Sequence, residues 1–129
     1  MDYPIRTLIL ADEQEAGRLA KTLNRNGVLV RHYCIEGLLT SREALKKDQW
    51  DIVLCRLEPG RPCDLTELVG DPETSPPFIL IGPVDDPLVS ATCIQAGIAD
   101  WVEANDTKGL VRAVRRTLRQ TEALQESRA

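Results

Sequence analysis

The sequence has a single histidine, His32, and none of its four cysteines, Cys34, Cys55, Cys63 and Cys93, falls in a Cys-x-x-Cys pair. No zinc site of ordinary spacing can be written from such a set, and one histidine in an apolar stretch does not suggest a Ser-His-Asp enzyme. No apolar run approaches the ~18 residues of a membrane helix. The start, Met1-Asp2-Tyr3-Pro4, lacks the basic and apolar regions of a secretory signal. These absences predict a soluble cytoplasmic domain whose cysteines are reduced and mostly packed as small hydrophobes, with Cys63 alone in an exposed loop. Internal repeats and linkers are missing as well, so residues 1–129 read as one domain.

What is present has an ordinary globular balance, with 43% hydrophobic and 28% charged residues. That excludes a disordered or low-complexity chain. Twenty acidic against 16 basic side chains leave a net charge of -4, which disfavours bulk attraction to nucleic acid.

Strand and helix signals alternate along the chain. Residues 5–10 are a short branched apolar run bounded by Asp12-Glu13, which predicts a buried strand. Ala16, Leu19, Ala20 and Leu23 follow at helical spacing, and Gly27 supplies a C-terminal cap. Further strands are expected over 28–33, 51–55, 78–81 and 99–103. Further helices are expected over 41–48, 65–69 and 86–97, with a long last helix from near Asp106. Thr40 with Glu43 and Asp64 with Glu67 have capping-box spacing. The last helix should carry Leu110, Val111, Val114 and Leu118 inward. Five strand–helix units imply an α/β fold with a parallel sheet, helices on both faces and right-handed crossovers.

Ligands of open parallel sheets bind beyond the carboxyl ends of the strands, so the strand ends are where functional residues should stand. Asp12-Glu13, Arg56, Gly82 and Ala104 stand there, and the chain also carries the segments Ile9-Leu10-Ala11-Asp12-Glu13, Trp50-Asp51-Ile52-Val53-Leu54-Cys55, Pro59-Gly60, Pro77-Phe78-Ile79-Leu80-Ile81 and Ala96-Gly97-Ile98-Ala99-Asp100-Trp101-Val102. In order and separation they make nearly the whole chain resemble a response-regulator receiver domain of the CheY-like type. The resemblance implies a flavodoxin-like, doubly wound five-stranded parallel sheet, (βα)5, with strand order 2-1-3-4-5.

The family's phosphoryl chemistry does not transfer residue by residue. Asp12 and Glu13 could supply the acidic pair that holds magnesium in a working receiver. The phosphoacceptor aspartate at the end of strand three is replaced by Arg56 when counted from Trp50-Asp51, or by Cys55 when counted back from Pro59-Gly60. Neither is a carboxylate. The hydroxyl residue after strand four is Gly82, the lysine after strand five is Ala104, and Trp101 takes the aromatic switch position. A guanidinium would also put fixed positive charge where a metal would sit. The chain is therefore expected to be a pseudo-receiver, without enzyme activity, metal or cofactor, in which Arg56 pairs with Asp12 or Glu13.

The function expected is a phosphorylation-independent signalling and protein-interaction module acting on a protein partner or an attached output domain. By family analogy that output would be of the GGDEF/EAL type, in cyclic-di-GMP signalling, or of regulators linked to type IV pili. The expected interaction face is helix four, strand five and helix five, carrying Trp101, Arg112, Arg115, Arg116 and Arg119, with 119–129 as a helical extension. Leu110, Val114, Thr117, Thr121 and Leu124 follow a three-four spacing that suggests a weak homodimer seam. The arginine face lacks interleaved aromatics, so nucleic-acid binding by this domain alone is not expected. The alternative is an atypical receiver modified at Cys55 or binding another small ligand at the strand ends. A flavodoxin-type cofactor protein is a poorer reading, because Asp12-Glu13-Gln14-Glu15 would repel a phosphate.

Overall fold

The structure, a computed structural model, describes residues 4–35, 43, 45, 49–56, 76–82 and 98–128, with the backbone alone for 122–128. Its elements are β1 (Ile5–Leu10), α1 (Glu13–Arg25), β2 (Val30–Ile35), β3 (Ile52–Arg56), β4 (Phe78–Ile81), β5 (Asp100–Val102) and α2 (Thr107–Arg128). The five strands form one sheet in the order β2-β1-β3-β4-β5, and every neighbouring pair is parallel. The parallel sheet is what the strand–helix alternation predicts, and its order is the one the receiver resemblance implies. The central strands are apolar because both of their faces are covered.

Alternation along the strands divides the core in two. Ile9, Leu54, Ile79, Ile81 and Val102 point to the face covered by α1 and α2, where they meet Ala16, Leu19, Leu23, Leu110, Val114 and Leu118. Leu8, Val53, Cys55, Phe78 and Leu80 point to the opposite face with Trp50, and Leu45 and Trp101 pack against them. The inward residues expected of the first and last helices are thus buried.

The second strand begins two residues later than its apolar pattern suggests. Val28 belongs to the end of α1, because its N–H donates to the Leu23 carbonyl at 2.9 Å while the Gly27 N–H donates to that of Asn24 at 3.2 Å. These bonds form a Schellman cap, closed by the buried pair Leu23 and Val28. Gly27 stands at φ 84°, the left-handed conformation that the cap requires. Gly27→Ala is expected to cost about 1 to 2 kcal/mol from this backbone conformation alone, read as a lower denaturant midpoint with an unchanged slope.

The third strand is displaced by one residue, to 52–56, and the last is shorter than expected, at 100–102. Residues 43 and 45 are helical. The rest of the helices expected over 41–48, 65–69 and 86–97, both capping boxes, Cys63 and Cys93 lie outside the described residues.

The homodimer seam requires correction. Leu110, Val114 and Thr117 are 4%, 0% and 3% exposed and pack inside the domain, so they cannot meet a second copy. Thr121 is half-buried and donates its hydroxyl to the Thr117 carbonyl at 3.0 Å. The side chain of Leu124 lies outside the described residues.

Candidate functional site

The chain turns from β1 into α1 at Asp12, whose carboxylate accepts the Glu15 N–H at 2.8 Å and so caps the helix. That bond commits Asp12 to the backbone. Glu13, the first helical residue, is exposed. Glu15 lies two residues further on, beside the sheet-facing Ala16, and is half-buried. Arg18, one turn later, donates to both of its oxygens, through Nε at 3.0 Å and Nη2 at 2.5 Å.

Arg56 reaches the same carboxylate from the sheet. It is the last residue of β3, pairs in register with Ile81 and shares a face with Leu54. Its Nε lies 3.7 Å from Glu15 Oε1, and its Nη1 donates to the Ile81 carbonyl at 3.3 Å. Arg18 extends the cluster by donating to the Ala104 carbonyl at 3.5 Å. One carboxylate is therefore held between two guanidinium groups, and the carbonyls ending β4 and following β5 accept from the same pair.

The predicted partner of Arg56 is corrected accordingly: the acid that meets it is Glu15, and not Asp12 or Glu13. The physical reason is the helix start, which turns Asp12 onto its own backbone and leaves Glu13 outside. Glu15 was missed, although its i,i+3 spacing from Arg18 was the available signal.

Cys55 and Arg56, the two candidates for the acceptor position, point to opposite faces of the sheet. Cys55 is 3% exposed and packs with Leu8, Val53 and Leu80. Gly82 is buried and donates its N–H to the Val102 carbonyl at 3.0 Å. Ala104 brings only a methyl group and its carbonyl. Trp101 is half-buried on the Cys55 face, and its indole N–H is buried with no hydrogen-bond partner among the described residues. His32 is exposed on β2, while Cys34 is half-buried and donates its thiol to the Ala11 carbonyl at 3.0 Å.

On α2, Arg112, Arg115, Arg116 and Arg119 are all exposed. Two of them are engaged within the domain: Arg115 donates to the Asn26 carbonyl and Arg116 pairs with Asp100. The Asp100 carboxylate also accepts the backbone N–H of Trp101 at 2.8 Å.

The hydrogen bond from Arg18 holds the Glu15 carboxyl below its ordinary value of 4.5, aided by the charges of Arg18 and Arg56 and opposed by partial burial. The same bond raises Arg18. A depressed carboxyl contributes stability above its unfolded pKa and loses it as pH falls through the folded one. The wild type should therefore lose this contribution progressively below about pH 4.5, whereas Glu15→Gln should show a shallower acid limb in pH-dependent melts. Arg56→Ala should cost no more than about 1 kcal/mol at neutral pH, because a partly exposed pair is screened and Arg18 still holds Glu15.

The donor set does not suit magnesium. That ion is bound through carboxylate and water oxygens in near-octahedral geometry. Here Asp12 caps a helix, Glu15 is taken by two arginines, and Arg56 brings a fixed positive charge. Among the described residues, no group of three or more His, Cys, Asp or Glu side chains is placed to hold a metal ion, and no helix is long and apolar enough to cross a membrane.

The fold is that of response-regulator receiver domains. The chain is similar to the receiver domain of a protein described as a LuxO repressor from Vibrio parahaemolyticus, at 13% identity and a TM-score of 0.78, over 98% of this chain and 99% of that one. It is also similar to an orphan response regulator of H. pylori, at 17% identity and a TM-score of 0.67, over 88% and 96% of the two chains. A third similar structure is of an atypical orphan response regulator, described as revealing a phosphorylation-independent regulatory mechanism. It shares 18% identity over 89% of this chain and 96% of its own, with a TM-score of 0.67. The sequence matches no protein-family model and no curated protein.

Proposed function

We propose that the domain is a receiver-like signalling module that works without phosphorylation, by contact with a protein partner or an attached output domain. The observation that carries this reading is the ion cluster at the strand ends, in which Arg56 joins Glu15 to the Ile81 carbonyl. A receiver's phosphoryl chemistry needs an acceptor carboxylate and a metal, and a guanidinium supplies neither. The cluster instead links α1 to the ends of β3 and β4 and, through Arg18, to the segment after β5. The ends of these strands are thereby tied to α1 by an internal charge. The similarity to an atypical, phosphorylation-independent regulator is consistent with this.

The module is not an enzyme and acts in the cytoplasm. Its contact face includes β5 and α2, with Trp101 on the strand and the exposed Arg112, Arg115, Arg116 and Arg119 on the helix. The output domain is of the GGDEF/EAL type or another multidomain regulator, and 119–129 connects to it. A reading in which Cys55 is modified is less well supported, because a thiol that is 3% exposed offers a reagent little access.

Incubation with acetyl phosphate or beryllofluoride, followed by intact mass and tryptophan fluorescence, tests the proposal. No mass gain and no saturable fluorescence change are expected. Stoichiometric labelling would overturn the proposal, and a label mapped to Cys55 would establish the alternative.

A further inference from the structure

Among the described residues the sheet ends at two edge strands, β2 and β5. Open edges invite pairing with another chain, and short strands or charge on the edge blunt them. β5 has three residues and carries the Asp100–Arg116 ion pair, whereas β2 has six residues. The two large apolar side chains that stand exposed among the described residues, Leu29 at 61% and Tyr33 at 38%, both belong to the β2 edge.

The ladder fixes which backbone groups face outward. The Ile5 N–H donates to the Leu29 carbonyl at 2.9 Å, and Ile5 is the Cα partner of Val30, so Leu29, Arg31 and Tyr33 turn their backbone groups to β1. Val30 and His32 turn theirs away. The Val30 N–H is taken by the Asn24 side chain at 3.0 Å, which closes that end of the edge. The His32 N–H and carbonyl have no partner among the described residues. Alternation places Leu29, Arg31, Tyr33 and Ile35 on one face. There Ile35 packs against the second core layer, and the Tyr33 ring is steadied by Trp50, edge to face with centres 5.1 Å apart.

We infer that β2 is a homodimerisation edge, which pairs antiparallel with β2 of a second copy about a two-fold axis at His32. The sequence around this residue is self-complementary. With His32 opposite His32, Arg31 of each copy falls opposite Tyr33 of the other, and Leu29 opposite Ile35, so each contact is made twice. The two histidines exchange both backbone hydrogen bonds, because their groups face outward. The Arg31–Tyr33 and Leu29–Ile35 pairs are then of the non-hydrogen-bonded kind, in which side chains approach most closely. A guanidinium over a phenol ring and an apolar contact are both favourable across strands. The smallest slip that keeps the backbone groups aligned is two residues. In one direction it sets Arg31 against Arg31, and in the other it sets Arg31 against Ile35, so the charges select the register. β2 is the opposite edge of the sheet from β5, and the dimer does not depend on the function proposed above.

One strand pair is smaller than a standard interface, so sedimentation velocity should show a monomer–dimer equilibrium between about 10 µM and 1 mM. His32→Pro removes an outward N–H that the β1–β2 ladder does not use, and proline is tolerated on edge strands. Tyr33→Arg sets like charges opposite each other. Both variants should keep the far-UV circular dichroism of the wild type and associate at least about tenfold more weakly. Should His32→Pro unfold, Tyr33→Arg carries the test alone. Arg31→Glu combined with Tyr33→Arg in one chain restores opposite charges at the pair and should restore the dimer. A wild type that stays monomeric throughout this range, or a dimer undiminished in the folded variants, would overturn the inference. Failure of the double variant to recover association would overturn the register about His32.

Discussion

Val114→Glu is expected to unfold the domain. Val114 is fully buried where α2 packs on the sheet, in the cluster formed with Ile9, Leu54 and Ile81. A carboxylate there has no cation within the apolar layer, and burying an unpaired charge costs several kcal/mol even after relaxation. Domains of this size are stable by about 5 to 15 kcal/mol in total, so one such substitution consumes much of the margin. The variant should lose its cooperative melt at neutral pH and regain part of it in acid, where the introduced carboxyl is neutral. A variant that melts like the wild type would put Val114 on the surface, as an intermolecular seam requires.

Phe78→Ala should be nearly as damaging, by a different route. Phe78 is the only phenylalanine in the chain and is 1% exposed on the face opposite α1. Phenylalanine-to-alanine changes in well-packed cores cost about 3 to 5 kcal/mol, because the surroundings close the cavity only partly. Its backbone carbonyl also accepts the Ala99 N–H at 2.9 Å at the approach to β5. The expected result is a lower urea midpoint with an unchanged slope. A loss below about 1 kcal/mol would show that the second core layer collapses freely around the gap.

The sheet and its flanking helices are legible in the sequence where local pattern and tertiary burial agree. Residues 5–10 and 78–81 are apolar runs of strand length, and both strands occur as expected. The start of β2 misleads because Val28 is apolar for a helix-capping reason, and a strand reads the same way. Leu110, Val114 and Thr117 mislead similarly, since a three-four spacing fixes which residues share a face but not what that face meets.

The site is legible in part for the same kind of reason. Arg56 can be found by counting to a strand end. Its acid cannot be found that way, because Asp12 and Glu13 lie nearer the end of β1 while helix geometry brings Glu15 inward. The bond from Arg18 to the Ala104 carbonyl joins residues 86 positions apart, and no local pattern announces it.

The length of α2 has a mechanical consequence. Its side chains Leu110, Val114 and Leu118 are clamped in the core, yet the helix runs unbroken to Arg128. At 1.5 Å per residue, about 21 Å of rod lies beyond Val114. A tilt of about 10° at that fulcrum would sweep the far tip through about 4 Å, the scale of a side-chain contact. A slight repacking around Leu110 and Val114 is thus geared up along the rod into a stroke at Arg128.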